Sequence, residues 1–160
     1  MIGQYEEENR PVSLDGPRQY SLDQNHKHLA EMVAATGISN PPAFHPTVAD
    51  YYSGMLVTVT LHSRLLKKAL KPSKLRQVFI EYYQNQNVIQ VRSDEEKPAD
   101  GFMDANARSD NDGLEIYVLG SEEHITLMAR YDNLGKGASG AAVQCMNIML
   151  GLPENKGLVL

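Results

Sequence analysis

Apolar residues recur along this chain at two different spacings, and the spacing separates predicted strands from predicted helices. Alternation with a period of two places successive side chains on opposite faces of a strand. The segment MLVTVTL alternates in this way and is rich in β-branched residues, which favour strands. Two further alternating segments flank the turn Gly120–Glu123 and predict an antiparallel hairpin. The predicted strands are Met55–Leu61, Val88–Val91, Ala105–Arg108, Leu114–Leu119 and His124–Tyr131.

Two segments carry apolar residues at the three- and four-residue spacing of an amphipathic helix. The first follows the polar segment 17–28 and extends to Gly37. The second begins at Pro72 and Ser73, because proline suits the first turn of a helix, and should end near Asn87. This second helix, residues 73–86, is predicted to cover a sheet with the stripe formed by Leu75, Val78, Phe79 and Tyr82.

A third helix is predicted at residues 138–150, where most side chains are small or apolar and Gly151 follows as a helix end. A helix that is apolar on most sides is normally buried, so we expect this helix in the core, with Cys145 as a small core residue. The turn DNLGKGA lies just ahead of it. Its glycines form either a simple turn before a core helix or a loop whose open N–H groups bind a ligand.

These elements together predict an α+β fold, in which a mixed and largely antiparallel sheet is covered by helices 73–86 and 138–150. A chain of 160 residues with 42% hydrophobic content can bury one core, so residues 1–160 are expected to form a single domain.

Composition excludes several classes of function. The net charge of −5 argues against a general nucleic-acid-binding protein. No apolar run approaches the length of a membrane span, and residues 1–30 lack the apolar core of a signal peptide. The single cysteine excludes an internal disulfide and fits the reducing cytoplasm, where we expect the protein to act.

Candidate chemistry is concentrated in two histidines at the entrance of the first helix. His26 and His28 are two residues apart and Glu31 follows, and imidazole titrates in the range that a general acid or base requires. The same pair, with His45 as a third ligand, could bind zinc, although structural zinc sites favour cysteines and four ligands. A polar loop without a chemical role is the third interpretation of these residues.

Three separated segments, PRQYSLDQNHKHLAEM, FHPTVADYYSGMLVTVTL and YDNLGKGASGAAVQCMNIMLGLPENKGL, occur in this order. Together they resemble the C-terminal part of the N-acetyl-γ-glutamyl-phosphate reductases of arginine biosynthesis, in the shorter-chain subfamily. The resemblance implies an α+β domain similar to the C-terminal domain of glyceraldehyde-3-phosphate dehydrogenase. In the family this domain is joined to an N-terminal nucleotide-binding domain that carries the nucleophilic cysteine, so the 160 residues alone are expected to be inactive.

The reaction that the resemblance implies reduces N-acetyl-glutamyl phosphate, an acyl phosphate, to a semialdehyde with NADPH. A thiolate displaces phosphate to form a thioester, which then accepts a hydride. Such a mechanism needs an acid/base next to the sulfur. The family pattern HRHxPE falls on His26, Lys27, His28 and Glu31, which implies that one of the two histidines has this role.

The resemblance also implies residues that bind substrate and cofactor. Arg18 and Lys27 are candidate cations for the acidic substrate, because Ser53 stands where longer-chain members carry an arginine. Ala30 replaces the usual proline of the pattern and removes no catalytic group. Related dehydrogenases have an asparagine in a YDN turn that binds the nicotinamide carboxamide of the cofactor, here NADP, and Asn133 stands at the corresponding position. Gly135, Lys136 and Gly137 would then form a backbone collar near the cofactor.

The expected partners follow from the same resemblance. The helix at residues 138–150 would pack towards the nucleotide-binding domain, so it would be partly exposed in the chain alone and would favour association. We expect a homo-oligomer, and no partnership with nucleic acid or membrane. Two alternatives stay open, namely a non-catalytic oligomerisation module and a histidine-based metal-binding domain.

Overall fold

The computed structural model describes residues 2–68 and 70–160, and the chain divides into two compact units at residues 1–52 and 53–160. Among its described residues, the first unit has 3₁₀ turns at Ile2–Tyr5 and Val12–Leu14 and one α-helix, α1 (Lys27–Thr36). Its two short strands, β1 (Arg18–Gln19) and β2 (Thr47–Val48), pair antiparallel. Helix α1 ends where Gly37 adopts the left-handed conformation, as the sequence predicts.

The second unit is built on a four-stranded sheet with the strand order β3-β6-β5-β4. The β3–β6 and β6–β5 pairs are antiparallel, and the β5–β4 pair is parallel. The sheet is therefore mixed and largely antiparallel, which confirms the predicted α+β class. Its strands are β3 (Met55–His62), β4 (Ile89–Val91), β5 (Leu114–Gly120) and β6 (His124–Tyr131).

Two helices accompany this sheet. Helix α2 (Pro72–Tyr83) packs against β4 and β5, and helix α3 (Gly140–Met149) follows a π-helical turn at Gly135–Ser139. The centre of the unit is apolar, with Val88, Val118 and Ile125 almost completely buried. In the part of the chain that the structure describes, no helix is long and apolar enough to cross a membrane.

The sheet also buries one carboxylate, that of Glu115 on β5. Arg92 and Arg130 contact it at 2.5 and 2.7 Å, and Arg108 lies 3.9 Å away. Burial raises the pKa of Glu115, but hydrogen bonds from Arg130 and Arg92 outweigh it, so the net shift of this pKa is downward. Glu115 is therefore held as a charged group between positive neighbours.

Two predicted elements need correction. Ala105–Arg108 is not a strand but part of a series of turns, in which Ser109 N donates to Asn106 O at 3.0 Å. The segment has no β-branched residue, and local hydrogen bonds of this kind replace pairing with a neighbouring strand. Helix α2 ends at Tyr83, earlier than Asn87, because the chain turns there, with Gln86 N donating to Tyr83 O.

The burial of the helix at residues 138–150 that its composition predicts is wrong for the chain alone, whereas the partial exposure that the resemblance implies agrees with the structure. Only Gly140 and Asn147 of α3 are buried, whereas Met146 is 52% exposed and Met149 86% exposed. Cys145 is exposed too, so it is not a core residue. The apolar composition of a helix shows only that it can be buried. Whether it is buried depends on which other elements pack over it, and here only one narrow side of α3 is covered.

Candidate functional site

The predicted site residues fall into two groups, one in each unit, and the first group surrounds the start of α1. His26 is the N-cap of this helix, with an extended backbone (φ −123°, ψ 139°), and its Nδ1 accepts a hydrogen bond from His28 N at 3.2 Å. The imidazole thus satisfies one of the free N–H groups at the helix start. Helix α1 begins at Lys27 for this reason.

Aromatic rings enclose the two histidines. The His26 ring lies 4.6 Å from the His28 ring, 5.6 Å from Tyr20 and 5.2 Å from Phe44, measured between ring centres. Gln24 fixes this arrangement, because its side-chain amide both donates to Phe44 O at 2.7 Å and accepts from Phe44 N at 2.8 Å. The histidines are therefore placed by tertiary contacts, although each keeps a partly exposed edge.

The ring nitrogens of the two histidines have different neighbours. His28 Nε2 lies 3.8 Å from Glu31 Oε2, and both of these side chains are largely open to solvent. Protonation of His26 at Nδ1 would remove the acceptor of the helix cap. His26 also lines an open groove of about 480 Å³ along α1, which Leu29, Val33 and Pro41 line as well.

The candidate cations of the first unit have different surroundings. Arg18 Nη2 donates to the Tyr5 hydroxyl at 3.1 Å, and its guanidinium lies over the Tyr5 ring. The buried Nε of Arg18 has no hydrogen-bond partner among the described residues. Lys27 is exposed on the first turn of α1.

The zinc alternative gains no support from this geometry. His45 is exposed at the entrance of β2. Within residues 2–68 and 70–160, no group of three or more histidine, cysteine, aspartate or glutamate side chains is arranged to hold a metal ion.

The second group of predicted residues surrounds Asp132, which sequence reasoning noted only as a polar turn residue. Its carboxylate is buried and accepts hydrogen bonds from Leu134 N at 2.7 Å, Asp110 N at 2.6 Å and the Ser53 hydroxyl at 3.2 Å. Burial raises the pKa of Asp132, but the hydrogen bonds from Leu134, Asp110 and Gly135 outweigh it and the pKa is lowered. Asp132 thus holds three chain segments together.

Asn133 is fixed by the neighbouring turn. Its Oδ1 accepts a hydrogen bond from Gly54 N at 2.8 Å, which settles the orientation of the side-chain amide. Its Nδ2 makes no hydrogen bond to the residues that the structure describes, and the side chain is only half-buried. The two N–H groups of Nδ2 are therefore unused in the part of the chain that the structure describes.

The glycines of this turn are needed for contacts within the chain. A side chain at Gly135 would come within 2.8 Å of Asn111 O, and one at Gly140 would collide with the Asp112 carboxylate. Gly137 N donates to Asp132 O at 2.8 Å, which closes the π-helical turn. The Lys136 ammonium donates to Gln144 on α3, which in turn donates to Glu154.

Sequence reasoning missed the role of Ser53, which was noted only as a departure from the longer-chain pattern. Its hydroxyl contacts Asp132, and its carbonyl accepts from the Ser109 hydroxyl at 2.8 Å. No local signal could reveal these contacts, because the partners are 79 and 56 residues away in sequence.

Comparison with known proteins identifies relatives of this chain. The family described as "Semialdehyde dehydrogenase, dimerisation domain" matches residues 4–133. A protein of Nostoc sp. named "N-acetyl-gamma-glutamyl-phosphate reductase 2" is 42% identical over 144 residues, which cover 87% of this chain and 45% of the relative. A protein of Brucella ovis named "N-acetyl-gamma-glutamyl-phosphate reductase" is 38% identical over 154 residues, which cover 94% of this chain and 50% of the relative. The chain thus spans about half the length of the curated relatives that it matches.

Proposed function

The chain belongs to the semialdehyde dehydrogenase dimerisation-domain family, and from this premise we propose that it is the C-terminal domain of an N-acetyl-γ-glutamyl-phosphate reductase. The observation that carries the proposal is the 42% identity to a reductase over 87% of the chain. The proposed enzyme is an oxidoreductase of arginine biosynthesis that acts in the cytoplasm. Its other half, a nucleotide-binding domain, supplies the nucleophilic cysteine.

We assign the acid/base role to His28 and a positioning role to His26. A group that shuttles a proton must tolerate both protonation states. His28 can, because its ring nitrogens make no hydrogen bond to the described residues that a change of protonation would break, and Glu31 lies 3.8 Å from its Nε2. His26 cannot become protonated at Nδ1 without loss of the hydrogen bond from His28 N. His26 therefore holds the start of α1, and with it the ring of His28.

Arg18 is the favoured cation for the acidic substrate. Arg18 is half-buried, and besides the bond from its Nη2 to the Tyr5 hydroxyl its guanidinium has further donors that could bind a substrate carboxylate or phosphate. Lys27, exposed next to His28, would add a second positive charge without a fixed geometry.

NADPH, when bound, supplies the hydride of the proposed reaction. The residues of this chain suit its nicotinamide end, since the free Nδ2 of Asn133 can donate to the carboxamide oxygen. Gly135 and Gly137 would form the backbone collar next to Asn133, and Asp132 holds the turn in place from within. Lys136, which donates to Gln144, supports the turn from the side of α3.

Two exposed apolar surfaces fit the expected partners. The outer face of α3, with Met146 and Met149, suits the nucleotide-binding domain of the same protein. Met55, Val57 and Val59 form a second apolar face on β3, which lies at the edge of the sheet, and this face suits a second copy of the chain. A homodimer agrees with the description of the family as a dimerisation domain.

A chimaera tests the proposal. The half of the Nostoc reductase that this chain does not match is joined to the chain, and NADPH-dependent reduction of N-acetyl-glutamyl phosphate is measured. We expect turnover, a loss of about 10²-fold or more in kcat with His28→Asn, and a smaller loss with His26→Asn. A folded but inactive chimaera would contradict the function. An active chimaera that tolerates His28→Asn would contradict only the assignment of the acid/base.

A further inference from the structure

Two histidines that have no part in the proposed reaction meet at one end of the sheet. His62 is the last residue of β3 and His124 the first of β6, and the two are directly opposite in the antiparallel register. Their ring centres are 4.9 Å apart with an interplanar angle of 61°. His62 is half-buried and His124 is exposed, so both rings are accessible from solvent.

We propose that His62 and His124 form a chelating site for a late first-row divalent metal ion such as Ni²⁺, Cu²⁺ or Zn²⁺. These ions bind imidazole strongly, whereas Mg²⁺ and Ca²⁺ prefer oxygen ligands. Two ligands come from the protein, and the remaining coordination positions are open to water.

The separation of the two rings matches that of imidazoles bound to one ion. With metal–nitrogen distances of about 2.0–2.1 Å, two ring centres lie about 4.5 Å apart at a right-angle geometry and about 5.2 Å apart at a tetrahedral one. The observed 4.9 Å falls between these values. The distance between the rings is therefore compatible with coordination of one ion, once the side chains rotate so that a nitrogen of each ring faces it.

Hydrogen bonds to the backbone fix the two chain segments that carry the histidines before any ion binds. Ser121 N donates to His124 O at 2.8 Å, and the Ser121 hydroxyl accepts from His124 N at 3.1 Å. On the opposite strand, Ser63 N donates to Glu123 O at 2.8 Å. A preorganised pair loses less conformational entropy on binding than two free side chains would.

The tautomer of His62 has to change if its Nε2 binds the ion. Its Nδ1 accepts a hydrogen bond from Arg64 N in this structure, so the ring proton sits on Nε2. Coordination through Nε2 moves that proton to Nδ1 and gives up the acceptor bond. The bond is 3.4 Å long and hence weak, so its loss opposes binding only slightly.

Titration calorimetry on the chain without a histidine tag tests the site, with NiCl₂ and ZnCl₂ in a non-chelating buffer. We expect saturable binding, and His62→Asn and His124→Asn should each remove the equivalent that belongs to this pair. The rings of His26 and His28, 4.6 Å apart, meet the same distance criterion, so the experiment also needs a control at that pair. The control variant His26→Asn/His28→Asn deletes the other close histidine pair and should keep this binding. The proposal is overturned if the unaltered chain shows no saturable binding, or if binding survives His62→Asn and disappears in the control variant.

A second measurement does not depend on the folding of any variant. Paramagnetic Ni²⁺ broadens NMR signals close to it, so substoichiometric Ni²⁺ added to the unaltered chain should first broaden the ring signals of His62 and His124. Earlier or equal broadening of the His26 and His28 rings would overturn the assignment of the site. The proposed reductase function is unaffected by either result, because these histidines are not assigned to it.

Discussion

Asp132 is the residue on which the candidate cofactor turn depends. A buried carboxylate is stable only if its charge is compensated, and here backbone N–H groups and the Ser53 hydroxyl provide the compensation. The same hydrogen bonds connect the residue next to Asn133 with the start of β3 and with the loop at Asp110. The orientation of Asn133 is thus set by contacts that are distant in sequence.

We predict that Asp132→Asn lowers the free energy of unfolding by about 1–3 kcal/mol at pH 7, because the amide group turns a donor towards N–H groups. The effect should shrink in acid. The folded-state pKa of Asp132 is lowered, so its contribution is complete above the unfolded-state pKa of about 3.9 and is lost as the pH falls through the folded-state value. Urea unfolding at pH 7 and pH 3 measures both.

Ser53→Ala is the matched control for this prediction. It removes one hydrogen bond but keeps the carboxylate, so we expect a loss of about 1 kcal/mol with the acid dependence retained. If Asp132→Asn unfolds at the same urea concentration as the unaltered chain at pH 7, the carboxylate does not stabilise the turn.

At the scale of elements, the close approach of α3 to the loop at 111–112 explains the glycine at its start. From helix propensity alone, Gly140→Ala would be expected to raise the free energy of unfolding by about 1 kcal/mol, because alanine is the best helix former. A methyl group there would collide with the Asp112 carboxylate, whose Oδ2 accepts from Val159 N at 3.0 Å. The collision would displace the C-terminal segment.

We therefore predict that Gly140→Ala destabilises the chain by about 1–3 kcal/mol, against the direction of helix propensity. The control variant Ala142→Gly lies on the exposed side of α3. It should lower the free energy of unfolding by only about 1 kcal/mol, which is the difference in helix propensity between alanine and glycine. Thermal unfolding of both variants by circular dichroism makes the comparison. A Gly140→Ala chain as stable as the unaltered one would mean that Asp112 moves aside without penalty.

The elements also show how far sequence reasoning reaches. The strands β3, β5 and β6 could be predicted because their alternation and β-branched residues act locally. The exposure of α3 could not be predicted from its apolar pattern, since exposure depends on what covers the helix; only the resemblance to a two-domain family indicated it. The first histidine group was found from residue type and spacing, whereas the contact between Ser53 and Asp132 joins residues 79 apart and leaves no local pattern.

At the scale of the whole molecule, the sheet edge formed by β3 limits how copies can associate. Met55, Val57 and Val59 alternate along one face and are 36%, 39% and 47% exposed, while Thr58 points to the opposite face and is exposed too. Edge strands with exposed apolar faces invite pairing or packing with another chain. We expect the dimer to use the Val57 face.

The variant Val57→Lys/Val59→Lys should be monomeric, because a charge on each valine position cannot be buried in an apolar contact without a partner. Lysine is well tolerated on edge strands, so the variant should still fold. Thr58→Lys/Thr60→Lys adds the same two charges on the other face of β3 and should stay dimeric. Sedimentation velocity over a range of concentrations distinguishes monomer from dimer. If both variants remain dimers, association uses another surface. The exposed side of α3 around Met146 and Met149 is then the next candidate.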